Sequence, residues 1–212
     1  MFAPPLVAAK PGGSSSPHVH AGARSPRRRH TPRVSRYACP EYPQPVLDPS
    51  TVFDDSGPLE DPLSDELLRT VEAQLGHRLP QAYVALARRH NGGSFARAAC
   101  PAPSRTTWAE DHVGVYSLAA IGRTASFSLC GERGSAFWVA EWGYPGIGVY
   151  IGDCPSAGHD MIALDYRLPG EPAVVHVDQE WDYRITVLAP DFETFVTGLV
   201  DESDYDVDDG DV

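Results

Sequence analysis

Six side chains between residues 159 and 180 of this 212-residue chain are candidate ligands for a divalent metal. They are His159, Asp160, Asp165, His176, Asp178 and Glu180. Imidazole nitrogens and carboxylate oxygens that converge can hold an ion, and the ion can activate water for hydrolysis. However, the sequence contains no H-E-x-x-H motif and no other second pair of closely spaced ligands. A metal-dependent hydrolase is therefore a minor alternative, and we expect no metal ion and no cofactor.

Nucleophilic catalysis has less support. Cys154 lies near His159, but the adjacent Pro155 indicates an ordinary loop cysteine. Ser156 is not in a G-x-S-x-G context. The four cysteines, Cys39, Cys100, Cys130 and Cys154, show no C-x-x-C spacing, and a chain of this size needs no disulfide. We expect reduced thiols, a cytoplasmic location and no enzymatic activity.

Acidic and aromatic side chains are interleaved in two segments, a combination suited to binding a basic protein. Residues 1–36 carry seven of the 17 Lys and Arg residues and no acid, so residues 37–212 carry ten basic and all 29 acidic residues, a net charge of −19. Such a body repels nucleic acid and membranes and attracts basic partners, for which aromatic side chains supply anchors. The first candidate segment holds Trp138, Glu141, Trp142, Tyr144, Tyr150 and Asp153, and the second holds Asp178, Glu180, Trp181 and Asp182. Alternatively, the tryptophans belong to the core and the acids to an ordinary solvated face.

Helical patterns occur on both sides of the segments that contain these candidate residues. Residues 64–75 carry an apolar stripe at helical spacing, with Ser64 as the N-terminal cap. A second helix is predicted to begin at Pro80 and to end at Asn91-Gly-Gly, and a last helix to begin at Pro190. Together these patterns predict a helical hairpin and a C-terminal helix.

Between the helices the pattern changes to short β-type runs that are separated by glycine- and proline-rich turns. The predicted strands are Val113–Leu118, Ala136–Trp142, Gly148–Ile151, Met161–Tyr166, Ala173–Asp178 and Ile185–Leu188. Helices, a run of strands and a final helix indicate an α+β fold with a mainly antiparallel central sheet, packed by the helical hairpin and the C-terminal helix.

The strands at 161–166 and 173–178 allow a prediction of register. If residues 167–172 join an antiparallel pair, the numbers of facing residues add up to about 339. Asp165 and His176 are then diagonal neighbours with Cβ atoms about 7–8 Å apart, so we interpret His176 as a hydrogen-bonded sheet histidine. In this register the core face consists of Ile162, Leu164, Tyr166, Ala173, Val175 and Val177, and the other face of Met161, Ala163, Asp165, Val174, His176 and Asp178.

The two ends of the chain differ in composition from its middle. Residues 1–62 hold twelve of the twenty prolines, and we predict a disordered basic leader over residues 1–59. Its segment 24–33 is open to three interpretations: a nucleic-acid or phospho-regulated arm, an organelle transit peptide, or a solvated tail. Residues 201–212 hold seven acids and are predicted to be a disordered acidic tail, which leaves residues 60–200 as one folded domain. No apolar run reaches the roughly 18 residues that a membrane span needs.

Four stretches resemble, in order, the signatures of the Smi/Knr (SUKH) superfamily. Residues 75–93 (LGHRLPQAYVALARRHNGG) are similar to the family's LG-x-x-LP-x-x-Y helix and its NGG end. Residues 150–165 resemble its glycine-containing turn and the strand that ends in Leu-Asp, and residues 175–182 resemble its next strand. Residues 188–199 are similar to its closing helix, so the resemblance covers about residues 60–200.

This resemblance implies an α+β fold, no known catalytic residues and a role in protein binding. Bacterial members are chiefly immunity proteins that neutralise toxin domains, often nucleases or deaminases, and a fungal member is a scaffold that regulates cell-wall synthesis. We therefore expect an immunity-type protein that covers the basic cleft of a toxin, with a regulatory scaffold as the alternative. The long loop 94–111 and the aromatic-rich insert 137–152 depart from the family pattern, so the resemblance does not identify the partner.

Overall fold

The computed structural model describes residues 47–205, so the predictions for residues 1–46 and 206–212 lie outside the described part. Its helices are α1 (Pro49–Val52), α2 (Asp65–Leu75), α3 (Gln81–Ala87), α4 (Ser135–Glu141) and α5 (Phe192–Thr197), with 3-10 turns at Gln179–Trp181 and Glu202–Tyr205. Its strands are β1 (Gly93–Ser94), β2 (Ala99–Pro101), β3 (His112–Gly114), β4 (Ser117–Leu118), β5 (Gly148–Asp153), β6 (Asp160–Asp165), β7 (Ala173–Asp178) and β8 (Arg184–Ala189).

The central sheet has six antiparallel strands in the order β1-β4-β5-β6-β7-β8, which confirms the predicted α+β class. β2 and β3 form a separate two-stranded hairpin. The prediction of one strand over residues 113–118 is therefore wrong. Val115 and Tyr116 separate β3 from β4, and the two strands belong to different sheets.

Side-chain caps fix the helix ends. Ser64 accepts a hydrogen bond from the backbone N–H of Leu67, as predicted for α2. Pro80 lies just outside α3 instead of within its first turn. The start of α5 is set by Asp191, whose carboxylate accepts the N–H of Thr194 at 2.7 Å, and not by Pro190.

The sheet is covered on both faces. On one face, α3 and α5 pack together with the ring of Tyr83 stacked on Phe192 at 4.6 Å, and residues of α2 join the same core. On the other face, Trp138 of α4 belongs to the same apolar cluster as Met161 and Val175 of the sheet. This second layer explains why the predicted strand over residues 136–142 is wrong. Its β-branched and aromatic side chains favour a strand locally, but one face of a helix buries Ser135 and Trp138 against the sheet.

The predicted register of β6 and β7 is wrong by one residue. Asp160 faces Asp178 and Ile162 faces His176, so the numbers of facing residues add up to 338. Ile162 and Leu164 therefore share a face with Val174 and His176, and not with Val175 and Val177. Because apolar residues line both faces of these strands, the alternation of side chains does not distinguish the two registers.

The packed part of the chain begins earlier than the predicted domain boundary at residue 60. Asp48 accepts the N–H of Ser50 and caps α1. Val52 and Phe53 are buried in the main core, and Phe53 stacks on His90 at 4.3 Å. Residues 47–59 thus form part of the fold.

Candidate functional site

The two predicted binding segments meet at one end of the sheet. β5 and β7 end there, and β6 and β8 begin there, because neighbouring strands are antiparallel. His159 joins the two turns: its carbonyl accepts the N–H of Gln179 at 2.9 Å, and its Nδ1 lies 3.6 Å from a carboxylate oxygen of Glu180. Its ring lies edge-on to Trp142, with 6.1 Å between ring centroids. We call this surface the acidic–aromatic edge; it comprises Glu141, Trp142, His159, Glu180, Trp181 and Asp182.

Trp181 is the aromatic side chain most clearly offered to solvent on this edge, with 37% of its surface exposed. The guanidinium groups of Arg184 and Arg105 lie over its ring, at 4.9 and 5.9 Å from the ring centroid. Glu180 and Asp182 flank it and are exposed. The edge therefore carries both charge signs, because cation–π contacts bring arginines next to the acids.

Three predicted anchors are buried, so they do not present their rings at the surface. Trp138, Tyr144 and Tyr150 belong to the apolar core between α4 and the sheet. The hydroxyl of Tyr144 donates to the carbonyl of Gly158, and that of Tyr150 to the carbonyl of Pro145, each at 2.7 Å. Burial raises the pKa of both phenols above its usual range, so they remain hydrogen-bond donors. These rings support the surface from below.

Asp178 is also buried, although it was predicted among the contact residues. One carboxylate oxygen accepts hydrogen bonds from the N–H and the hydroxyl of Thr107, at 3.0 and 2.8 Å. The other accepts the N–H of Trp181 at 3.2 Å. Asp178 therefore positions Trp181 and ties the long loop between β2 and β3 to the sheet.

Beside the edge lies a groove of about 600 Å³ that the sequence did not predict. The loop 56–59, Phe137 and Trp142 line it. Tyr116, with 57% of its surface exposed, also lines it. Tyr116 lay within a predicted strand, where a single exposed tyrosine has no distinguishing pattern.

Asp153 contributes the acidic group of this groove. One carboxylate oxygen accepts the N–H and the hydroxyl of Ser117, at 3.1 and 2.6 Å. Burial raises the pKa of Asp153 above its usual value, although these hydrogen bonds oppose the shift. Its carboxyl is thus held in a fixed orientation at the groove.

Of the six predicted metal ligands, three converge. Ligand atoms of Asp160, His176 and Asp178 lie within 4.8 Å of one another, and Nε2 of His176 is 3.0 Å from a carboxylate oxygen of Asp160. Asp165 and His176 were predicted to be diagonal neighbours on one face, but the register places them on opposite faces of the sheet. Asp165 instead pairs with Arg167, whose guanidinium lowers the pKa of that carboxyl. His159 and Glu180 are exposed on the edge.

The buried cysteines have no features of a nucleophile. Burial raises the pKa of the Cys154 thiol well above its usual value, and the nearby Asp160 acts in the same direction. Burial likewise raises the pKa of Cys100 to about 12. Cys100, Cys130 and Cys154 are free thiols, whereas Cys39 lies outside the described residues.

These features define an α+β domain built on a six-stranded antiparallel sheet that carries two turns and a groove at one end. The model of the SMI1 / KNR4 family (SUKH-1) matches residues 62–198, which confirms the resemblance, and the chain belongs to this family. No curated protein and no solved structure matches the chain significantly. Within residues 47–205, no helix combines the length and the apolar character required to cross a bilayer.

Proposed function

We propose that this chain is a protein-binding domain of the immunity type, which neutralises a toxin domain by covering its basic active-site cleft. The observation that carries the proposal is the family match over residues 62–198, which spans the sheet and both of its helical layers. The acidic surplus of residues 37–212 suits a partner whose cleft binds phosphate groups. In this proposal the chain acts in the cytoplasm and catalyses no reaction.

The acidic–aromatic edge and the adjoining groove would form the contact surface. Glu141, Glu180 and Asp182 would face basic groups of the partner, while Trp142 and Trp181 would supply apolar contact area. Asp153 would accept hydrogen bonds within the groove. The buried residues Trp138, Tyr144, Tyr150 and Asp178 would act by holding this surface in shape.

The test uses the full chain as bait in lysate of its native cells, at low and high salt. We expect capture of one basic toxin domain, weaker capture at high salt, and loss of the toxin's activity when purified bait is added. Salt acts because the Debye length falls from about 10 Å at 0.1 M to about 3 Å at 1 M. Capture of several unrelated proteins without inhibition of any would favour a regulatory scaffold instead.

A pair of matched double variants tests the surface. Glu141→Arg with Trp142→Ala should abolish inhibition of the captured toxin. Leu168→Ala with Glu171→Arg exchanges the same kinds of side chain in the exposed loop at the other end of β6 and β7, and should leave inhibition unchanged. Circular dichroism and thermal unfolding check that both variants fold. Equal inhibition by the two folded variants would move the contact surface elsewhere.

A further inference from the structure

A cluster of ionisable side chains is buried beneath the acidic–aromatic edge. Asp160 opens β6, and His176 and Asp178 lie near the end of β7, all on the same face of the sheet. Their exposed surface is 3%, 0% and 1%, respectively. The cluster is therefore shielded from water, whose hydration normally stabilises charged side chains.

No arginine or lysine balances the two carboxylates of this cluster among the described residues. Within residues 47–205, neither Asp160 nor Asp178 forms an ion pair with an arginine or a lysine, and their one ionic partner is His176, next to Asp160. Two carboxylates buried close together favour a bound proton or a cation, because the three hydrogen bonds to Asp178 offset only part of the cost of burying both charges.

His176 provides a second and independent observation. Its Nε2 lies 3.0 Å from Asp160, but its other ring nitrogen, Nδ1, is buried and has no hydrogen-bond partner among the described residues. Buried polar atoms are nearly always satisfied, so the unpartnered Nδ1 shows that protein contacts do not account for every polar atom of this histidine.

We propose that Asp160, His176 and Asp178 bind one divalent transition-metal ion. One imidazole nitrogen and two carboxylate oxygens are a donor set that Zn²⁺ accepts, with water as a fourth ligand. Zinc–ligand distances near 2.0–2.2 Å place donor atoms about 3.4 Å apart in a tetrahedral site. The ligand atoms of the cluster lie within 4.8 Å of one another, and Nε2 of His176, 3.0 Å from Asp160, is the nitrogen that would bind the ion, so small side-chain movements suffice.

Such an ion would cross-link β6 and β7 at the turns that carry the edge. Its role would be structural, because the same carboxylate of Asp178 already holds Thr107 and Trp181 in place. This inference concerns the ion alone and does not depend on the identity of any partner.

The test adds ZnCl₂ to the full chain after treatment with a chelator. Calorimetric titration should give one tightly bound Zn²⁺ per chain, and thermal unfolding should show a higher Tm with Zn²⁺ than without it. MgCl₂ at the same concentration should produce neither effect, because Mg²⁺ prefers an all-oxygen octahedral shell. Absence of Zn²⁺ binding would overturn the proposal and leave a shared proton as the compensating charge.

His176→Gln and His159→Gln form a matched pair of variants. His176→Gln should abolish the binding and the Tm increase, whereas His159→Gln, which removes an exposed histidine one residue from Asp160, should retain both. Binding that survives His176→Gln would assign the ion to another site and refute the proposal. If His176→Gln does not fold, anomalous diffraction from crystals of the unaltered chain grown with Zn²⁺ tests the site. An anomalous peak among the three side chains supports the site, and its absence overturns it.

Discussion

Replacing Gly158 with alanine adds one methyl group to the turn that carries the acidic–aromatic edge. The φ angle of Gly158 is +97°, and a Cβ atom there would lie 3.0 Å from the ring of Trp138 and 3.2 Å from that of Trp142. A side chain in this backbone region costs about 1–3 kcal/mol.

The indole rings add a packing cost to this backbone cost. Trp138 is buried, and its Nε1 donates to the carbonyl of Arg133 at 3.1 Å, so it resists displacement. Trp142 is only half-buried and can move by a few tenths of an ångström, which places the overpacking near the low end of its usual range, at about 1 kcal/mol. We therefore expect Gly158→Ala to lower the free energy of unfolding by about 2–4 kcal/mol.

Gly170→Ala is the matched control for this change. Gly170 lies in the loop between β6 and β7 with φ +113°, and an added Cβ would have no atom within 4 Å. Only the backbone cost of about 1–3 kcal/mol should remain. Urea unfolding followed by circular dichroism measures both variants, and tryptophan fluorescence of the folded state should change in Gly158→Ala alone.

Two outcomes would refute this reasoning. Equal losses of stability, without a change in fluorescence, would show that the contacts with Trp138 and Trp142 impose no constraint on Gly158. A Gly158→Ala variant as stable as the unaltered chain would show that the turn adopts another backbone conformation in solution.

Three further substitutions test individual hydrogen-bonded groups. Asn91→Ala should cost about 2–4 kcal/mol in urea unfolding, because it leaves the N–H and the C=O of Ile121 buried and unpaired; a loss below about 1 kcal/mol would contradict this. Burial acts to raise the pKa of Glu60, but hydrogen bonds from Ser128 and backbone N–H groups lower it overall. Ionised Glu60 therefore stabilises the fold above the unfolded pKa of about 4.3, and this stabilisation is lost as pH falls through the folded pKa. Glu60→Gln should therefore lower the free energy of unfolding at pH 7 and narrow the difference in that free energy between pH 7 and pH 3. An unchanged pH dependence of the free energy of unfolding would contradict this role of Glu60. The raised pKa of Asp153 has the opposite effect on the pH dependence of stability: the free energy of unfolding falls as pH rises from about 3.9 through the folded pKa. Asp153→Asn should remove that fall, and a fall that persists in the variant would show that another group causes it.

Local sequence signals predicted the elements whose ends depend on local chemistry. Ser64 and Gly76 delimit α2 because a hydroxyl cap and a left-handed residue act within one turn of the chain. The contacts of Asn91 in the N-G-G motif are instead long-range, because its side chain forms hydrogen bonds with the backbone of Asp61 and Ile121. A motif can therefore identify a family even when a single sequence does not reveal what the motif holds together.

The sequence-based predictions of secondary structure and register are wrong where tertiary packing decides between local alternatives. Residues 135–141 combine strand propensity with helical burial, and the uncovered face of the sheet selects the helix. The register of β6 and β7 was ambiguous for the same reason, since α4 makes both faces apolar. That single-residue shift also determined the site: it separates Asp165 from His176 and brings Asp160 next to it.

The burial of the aromatic residues changes what mutagenesis of this surface can show. Tyr144 and Tyr183 donate hydrogen bonds to the carbonyls of Gly158 and Trp142, so a buried and a half-buried phenol connect α4 and its following loop to both turns of the edge. Substitution of either tyrosine would alter the shape of the edge whether or not the ring ever touches a partner. Charge reversal at Glu180 or Asp182 leaves those buried contacts intact, because both side chains are exposed. Loss of partner binding in these exposed variants, with an unchanged free energy of unfolding, would therefore distinguish a contact role from a supporting one.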